Sequence, residues 1–253
     1  MPKALVINPN TSAAMTREIK ETTDQLFRPP WSVEVRAAPA GPESLESWSD
    51  YYLASVCVLP LIAEMSDVDG VVLACFGDPG LYVLKESCEV PVVGIAEASI
   101  ALSTLIGAKF GILAGMGRAV ALMDNMVQTY GMGSRYAGSV SLGMRVLEFE
   151  RDRNRTLKNL ERASEAARKR GAEVLLLGCA GLTGFVAELQ ENVQMPVIDP
   201  VEAGCRMLHA LVAGGYNTSH SGLFARPAEQ NMIDLEKIFS SGAIQAIQTI
   251  RKS

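Results

Sequence analysis

A short apolar run that ends in a cysteine occurs twice in this chain, and each time a Pro-Val-x-x-x-x-Glu-Ala segment follows. Gly70-Val-Val-Leu-Ala-Cys75 resembles Ala172-Glu-Val-Leu-Leu-Leu-Gly-Cys179, and Pro91-Val-Val-Gly-Ile-Ala-Glu-Ala98 resembles Pro196-Val-Ile-Asp-Pro-Val-Glu-Ala203. Upstream, Leu5-Val-Ile-Asn-Pro-Asn10 stands opposite Gly111-Ile-Leu-Ala-Gly-Met116. The cysteine, proline and upstream landmarks are 104, 105 and 106 residues apart, in the same order in both halves. Strand–glycine–helix recurs in any α/β chain. The shared Pro-Val and Glu-Ala positions go beyond that recurrence and read as an internal duplication.

The repeated unit is α/β. Apolar runs at residues 4–7, 70–74, 91–95, 110–113, 174–177 and 196–198 are rich in Val, Ile and Leu and bounded by Gly, Pro or charge, as strands buried on both faces are. Helical spacing separates them, at 12–26 and at 155–170, where Leu157, Leu160, Ala163 and Ala167 share one side and Lys158, Glu161 and Arg168 the other. Continuous apolar strands alternating with helices imply mainly parallel sheets. The duplication makes two similar lobes related by pseudo-two-fold symmetry, with a cleft between them. The first lobe is expected over 1–98 plus 208–253, with the helical pattern at 235–250 folding back on it, and the second over 99–207. The link is placed near 98–103.

Composition narrows the function classes. A formal charge of −5, from 23 basic and 28 acidic residues mixed along 253 positions, gives no nucleic-acid surface and no affinity for an anionic membrane. No apolar stretch reaches the roughly 18 residues of a membrane span, and the N-terminus lacks a secretory pattern. Five scattered cysteines, an odd number, fit a reducing compartment. A cytoplasmic location is expected.

Ligands of open α/β sheets bind beyond the carboxyl ends of the strands, and Cys75 and Cys179 both stand there, on opposite sides of the expected cleft. Asp78 followed by Pro79 reads as a helix start, which would aim a positive helix end at Cys75 and lower its pKa. Asn10 or Thr11 would cap the first helix and leave an amide or hydroxyl at the cleft. Cys57, Cys88 and Cys205 read as core or interface positions. Cys205 and His209 share an i, i+4 spacing without a second pair, so no metal site is expected. His220 has no companions for a cysteine–histidine hydrolase. Gly115-Met-Gly117-Arg-Ala-Val120 lacks the third glycine and the distal acid of a dinucleotide fingerprint, and nucleotide binding is rejected.

These motifs resemble the hydantoin and allantoin racemases of the aspartate/glutamate racemase superfamily. The resemblance runs through Ile7-Asn-Pro-Asn-Thr11, Gly41-Pro-Glu-Ser-Leu-Glu46 with Asp50, Ala74-Cys-Phe-Gly-Asp-Pro-Gly-Leu81, Gly178-Cys-Ala-Gly-Leu182 and Pro196–Ala203. Superfamily amino-acid racemases carry Asn-Thr and Thr after the two cysteines, so Phe76-Gly77 and Ala180-Gly181 place this chain nearer the hydantoin branch. The chain departs at Ala114-Gly115, where many relatives carry Thr-Thr. The resemblance implies racemisation without a cofactor or metal, with Cys75 and Cys179 as the catalytic pair. The expected substrate is a neutral cyclic amide held by Asn10, Thr11, Phe76, Gly77, Ala180 and Gly181, and a homo-oligomer is expected. Arg118 is the nearby cation that would favour a carboxylate or ureido substrate. Superfamily decarboxylases and isomerases reuse this scaffold. The two cysteines count against a decarboxylase with a single cysteine proton donor but are compatible with another isomerase, and a non-enzymatic sensor would need the cleft without thiolate chemistry.

Overall fold

The computed structural model describes residues 1–228 and 233–234; the expected helix at 235–250 lies outside the described residues. One four-stranded parallel sheet holds β1 (Lys3–Asn8), β2 (Ser32–Ala37), β3 (Gly70–Leu73) and β4 (Val92–Gly94) in the order β2-β1-β3-β4. A second holds β5 (Phe110–Ala114), β6 (Tyr136–Ser141), β7 (Val174–Leu177) and β8 (Val197–Ile198) in the order β6-β5-β7-β8. The two orders are the same once the halves are superposed in sequence, as the repeat requires. All six expected strands form. The apolar pattern misses β2 and β6, one edge strand of each sheet, because they are mostly half-buried and polar residues interrupt their apolar ones.

The helices are α1 (Ala13–Leu26), α2 (Trp48–Cys57), α3 (Leu59–Ala63), α4 (Leu81–Ser87), α5 (Ile95–Ile106), α6 (Gly117–Thr129), α7 (Arg153–Lys169), α8 (Val186–Val193) and α9 (Pro200–Ala213). Ser12, not Asn10 or Thr11, caps α1: its side chain accepts from Met15 N–H, and Met15, Ile19 and Thr23 form the buried stripe. Asp152 caps α7, which lays Leu160, Ala163 and Ala167 against the outer face of the second sheet. Cys57 and Cys88 pack on the outer core of the first sheet.

The arrangement of α5 and α9 ties the halves together. Helix α5 leaves the first sheet after β4 yet packs on β5 and β7 of the second; α9 leaves the second sheet after β8 yet packs on β3 and β4 of the first, and the two helices pack on each other. Residues 98–103 are therefore internal turns of α5, and the expected boundaries at 98/99 and 207/208 fall inside these two helices. A single apolar core runs between the sheets, with Val72, Ile95, Ile100, Ile112, Leu176, Val201 and Leu208 in one cluster. Gly204 permits the close approach of α9 to α5, since a Cβ there would lie 2.8 Å from Ile95. Truncating a fully buried aliphatic in this layer costs about 2–5 kcal/mol. The layer holds both strand ends that carry the cysteines in fixed relation.

Candidate active site

Cys75 follows β3 and Cys179 follows β7, each at the second residue past the strand. Both line one narrow cavity of about 40 Å³ between the lobes. The first lobe adds Asn10, Glu46, Tyr51 and Phe76 to its wall, and the second adds Gly115, Val146 and Ala180. Thus the structure brings together five expected site residues: Asn10, Cys75, Phe76, Cys179 and Ala180.

The other three lie outside the wall. Thr11 donates its backbone N–H to Pro42 O at 3.1 Å, away from the cavity lining. Gly77 has φ +121, and a Cβ there would come within 2.8 Å of the Tyr51 ring and hydroxyl. Its glycine is needed for that close approach, which lets Tyr51 donate to Phe76 O at 3.1 Å. Gly181 sits behind Cys179, lining a neighbouring cleft with Glu18 and Glu150. Arg118 is exposed on the first turn of α6 and does not line the cavity.

Asn10 is oriented by its own neighbours. Its Oδ1 accepts from Asn8 Nδ2 at 2.8 Å and from Ser12 N–H at 2.9 Å. That fixes the amide flip and leaves Nδ2 against the Met15 sulfur at 3.1 Å, a weak acceptor that a better one can replace. Glu46 is visible in sequence only as part of a motif. Here its carboxylate accepts from Ser44 Oγ and from Val146 N–H, and pairs with Arg145 at 3.4 Å, so it bridges the lobes at the rim of the cavity.

Electrostatics reverse one expectation. The expected helix start is not at Asp78: α4 begins at Leu81 with Gly80 as its cap, and Asp78, in a left-handed conformation at φ +48, sends its carboxylate to the start of α5. Both thiols keep some exposure toward the cavity but are densely surrounded by protein. Burial therefore raises them rather than lowering them. Burial pushes Cys179 up to about 11, partly offset by a hydrogen bond from Gly181 N–H, with Glu18 and Glu46 also raising it. Cys75 is pushed well above 9, first by burial and then by Cys179 and Asp78. Among the described residues that line the cavity there is no Lys, Arg or His, and Glu46 is the one carboxylate. No described group of three or more His, Cys, Asp and Glu is placed to share a metal ion. No described helix is long and apolar enough to cross a membrane.

Comparison with known proteins fits this geometry. A profile described as Asp/Glu/Hydantoin racemase matches residues 5–208. The chain belongs to that racemase family. It is 36% identical over 235 residues to a hydantoin racemase of Paenarthrobacter aurescens, covering 91% of this chain and 100% of that protein. Among solved structures it superposes on an allantoin racemase from Klebsiella pneumoniae with a TM-score of 0.87 at 32% identity, covering 94% of this chain and 98% of that one. The allantoin racemase of Pseudomonas fluorescens gives a TM-score of 0.88 at 30% identity, covering 91% and 99%. The chain is thus an enzyme of the racemase family, with the two-lobed α/β fold expected of it.

Proposed function

We propose that the protein inverts the C5 centre of neutral five-membered cyclic ureides, 5-substituted hydantoins above all, by proton exchange between Cys75 and Cys179. One cysteine, as thiolate, removes the C5 proton from one face. The electron pair passes into the adjacent carbonyl as an enolate, and the other cysteine, as thiol, returns a proton to the opposite face. The active pair carries one negative charge, which the mutual repulsion of two neighbouring thiolates favours. The roles exchange for the other enantiomer. The adjacent carbonyl already acidifies C5–H, so this scheme uses no metal or cofactor. Asn10 Nδ2 and the backbone N–H groups that follow each cysteine are the donors for the enolate oxygen.

The observation that carries this reading is a cavity with two opposed thiols, one carboxylate and no cation among its described lining residues. A free amino acid would bring its carboxylate beside Glu46 with nothing to neutralise it, a costly desolvation. A cyclic ureide brings N–H donors, which Glu46 can accept, and a ring that Phe76 can cover. Allantoin, a hydantoin bearing a 5-ureido group, is the second reading, favoured by the close superposition on two allantoin racemases. The test compares kcat/KM for both enantiomers of a 5-alkyl hydantoin, for allantoin and for free aspartate and glutamate, with excess chelator and no added cofactor. A hydantoin preference is expected. Preference for a free amino acid, or activity restored only by a metal, overturns the assignment.

A further inference from the structure

Each loop behind a cysteine is tied through an aspartate carboxylate to the head of the helix that follows, but the aspartate is supplied from opposite ends of the contact. In the first lobe the loop itself carries it. Asp78 accepts Ala96 N–H at 3.0 Å and Glu97 N–H at 2.9 Å at the start of α5, and Tyr130 Oη donates to it at 2.7 Å. The residue at the head of α5 is Gly94, and a Cβ there would stand 2.4 Å from the Asp78 carboxylate. In the second lobe the head of the helix carries the group. Asp199 accepts Val201 N–H at 2.9 Å and Glu202 N–H at 3.1 Å, while the loop contributes Thr183, whose hydroxyl donates to Asp199 at 2.6 Å.

Counted from the Pro-Val landmarks, Asp78 matches Thr183 and Gly94 matches Asp199, each 105 residues apart, as are Ala96 and Val201, and Glu97 and Glu202. Counted from the cysteines, 104 apart, Thr183 stands one residue further along its loop than Asp78 does. The carboxylate has therefore changed places with its partner between the halves. Each clamp is also reached by a hydroxyl from a helix of the other half of the sequence. Tyr130, at the end of α6, touches Asp78. Thr22 of α1 lies 2.9 Å from Thr183 Oγ1, and since the single Thr183 proton goes to Asp199, Thr22 is the donor there.

We propose that Asp78 is a positioning residue for Cys75, holding the turn that carries this cysteine to the head of α5, and that Asp199 does the same for Cys179 from the opposite side of the contact. The turn makes the coupling direct. Asp78 N–H closes it on Cys75 O at 3.0 Å, and Leu182 N–H closes the matching turn on Cys179 O at 3.1 Å. An anchor at the end of this four-residue turn, Asp78 in the first lobe, or one residue beyond it, Thr183 in the second, fixes the cysteine at its start. The proposal rests on the reading of Cys75 and Cys179 as the two bases, but the anchoring itself is measurable without turnover.

The test is an exchange of the two positions, using Asp78→Thr, Gly94→Asp and the double variant. Gly94 has φ −83 and ψ 142, which aspartate adopts freely, and the nearest atoms a Cβ there would meet are those of the Asp78 carboxylate. Three readouts are taken on each protein: thermal midpoint, kcat and KM for the hydantoin, and the separate alkylation rates of Cys75 and Cys179 by iodoacetamide, resolved by peptide mass spectrometry. Asp78→Thr is expected to lower kcat about 100-fold with KM little changed, the loss expected from a base displaced by about an ångström. It changes the alkylation of Cys75 while leaving Cys179 as it was. Gly94→Asp is harmful alone and restorative on the Asp78→Thr background, bringing kcat and the Cys75 alkylation rate back to within about tenfold of the parent. Asp78→Asn, which keeps the volume and one acceptor, guards against a single variant that does not fold and is expected to fall between parent and Asp78→Thr. If Gly94→Asp is as harmful on the Asp78→Thr background as in the parent, or if the exchange restores the thermal midpoint but neither kcat nor Cys75 alkylation, the positioning role is overturned. Should alkylation of Cys75 follow the clamp while no variant or parent racemises a hydantoin, the anchoring stands and the substrate reading fails instead.

Discussion

The two lobes share strand order, cysteine position and helix-head geometry, yet they hold their thiols differently. Cys179 accepts a hydrogen bond from Gly181 N–H, which favours its thiolate. Cys75 instead donates over a long contact to its neighbour's carbonyl, with Sγ 3.9 Å from Phe76 O, which favours the thiol. Cys75 also has the buried Asp78 carboxylate nearby, whereas the Asp199 group does not figure among the influences on Cys179. Duplication thus kept the placement of the two thiols and let their surroundings diverge. A racemase can tolerate that. Its equilibrium constant is one, so what must match across the cleft is where the proton is taken and returned.

The strongest way to break this comparison is to remove one thiol at a time. On the two-base reading Cys75→Ala and Cys179→Ala each lower racemisation by about 1,000-fold or more, within the range for loss of a general acid or base. Each variant should still exchange the C5 hydrogen of one enantiomer with deuterated solvent, and the two variants should favour opposite enantiomers. Polarimetry with NMR of the recovered substrate checks both. Appreciable steady-state racemisation by either folded variant removes the need for two cysteines.

Much of this comparison is legible in the sequence because it rests on periodic features. The repeat locates both strand ends and therefore both cysteines, and buried strands of Val and Leu announce themselves by continuous apolarity. Strands β2 and β6 escape because they are mostly half-buried and polar residues such as Glu34, Arg36, Ser139 and Ser141 break their apolar runs. The Asp78–Pro79 start signal is local and misleading: the helix head it serves is 18 residues on, and only folding brings Ala96 and Glu97 to the carboxylate. The direction of the thiol shift goes astray for a related reason. The sequence suggests a helix end beside Cys75 where the structure has a turn, and desolvation then decides the sign. Tyr51 and Glu46 are hard to place because they reach the cavity from the long connection between β2 and β3 within the first lobe, with no strand-end position to mark them.

Acidity offers a subtler test. A thiol raised by burial is protonated at neutral pH and gains basicity as pH climbs, so kcat/KM should rise by about tenfold per pH unit from about pH 7 to 9. It should not fall away above the ordinary thiol range near 8.5, since Cys179 is raised to about 11 and Cys75 beyond 9. Iodoacetamide should modify Cys179 at lower pH than Cys75. A profile that levels off below about pH 8, or a Cys75 that is alkylated first, contradicts the difference drawn between the lobes.

The smallest expected effect comes from Glu46, and it separates the lobes most cleanly. Its ion pair with Arg145 contributes only about 0–1 kcal/mol, because the arginine is largely in solvent. Its charge raises Cys179 and is not among the influences on Cys75. Glu46→Gln keeps a carbonyl oxygen for Val146 N–H and Ser44 while deleting that charge, so folding should be nearly unaffected. The alkylation profile of Cys179 should move to lower pH and that of Cys75 should stay in place. Discrimination against free aspartate should relax by about three- to tenfold, the scale of one screened charge interaction, because the carboxylate that repels it is gone. An equal shift at both cysteines would mean that Glu46 acts through the opening of the cleft, which serves both lobes, and the electrostatic distinction between Cys75 and Cys179 would then lose its source.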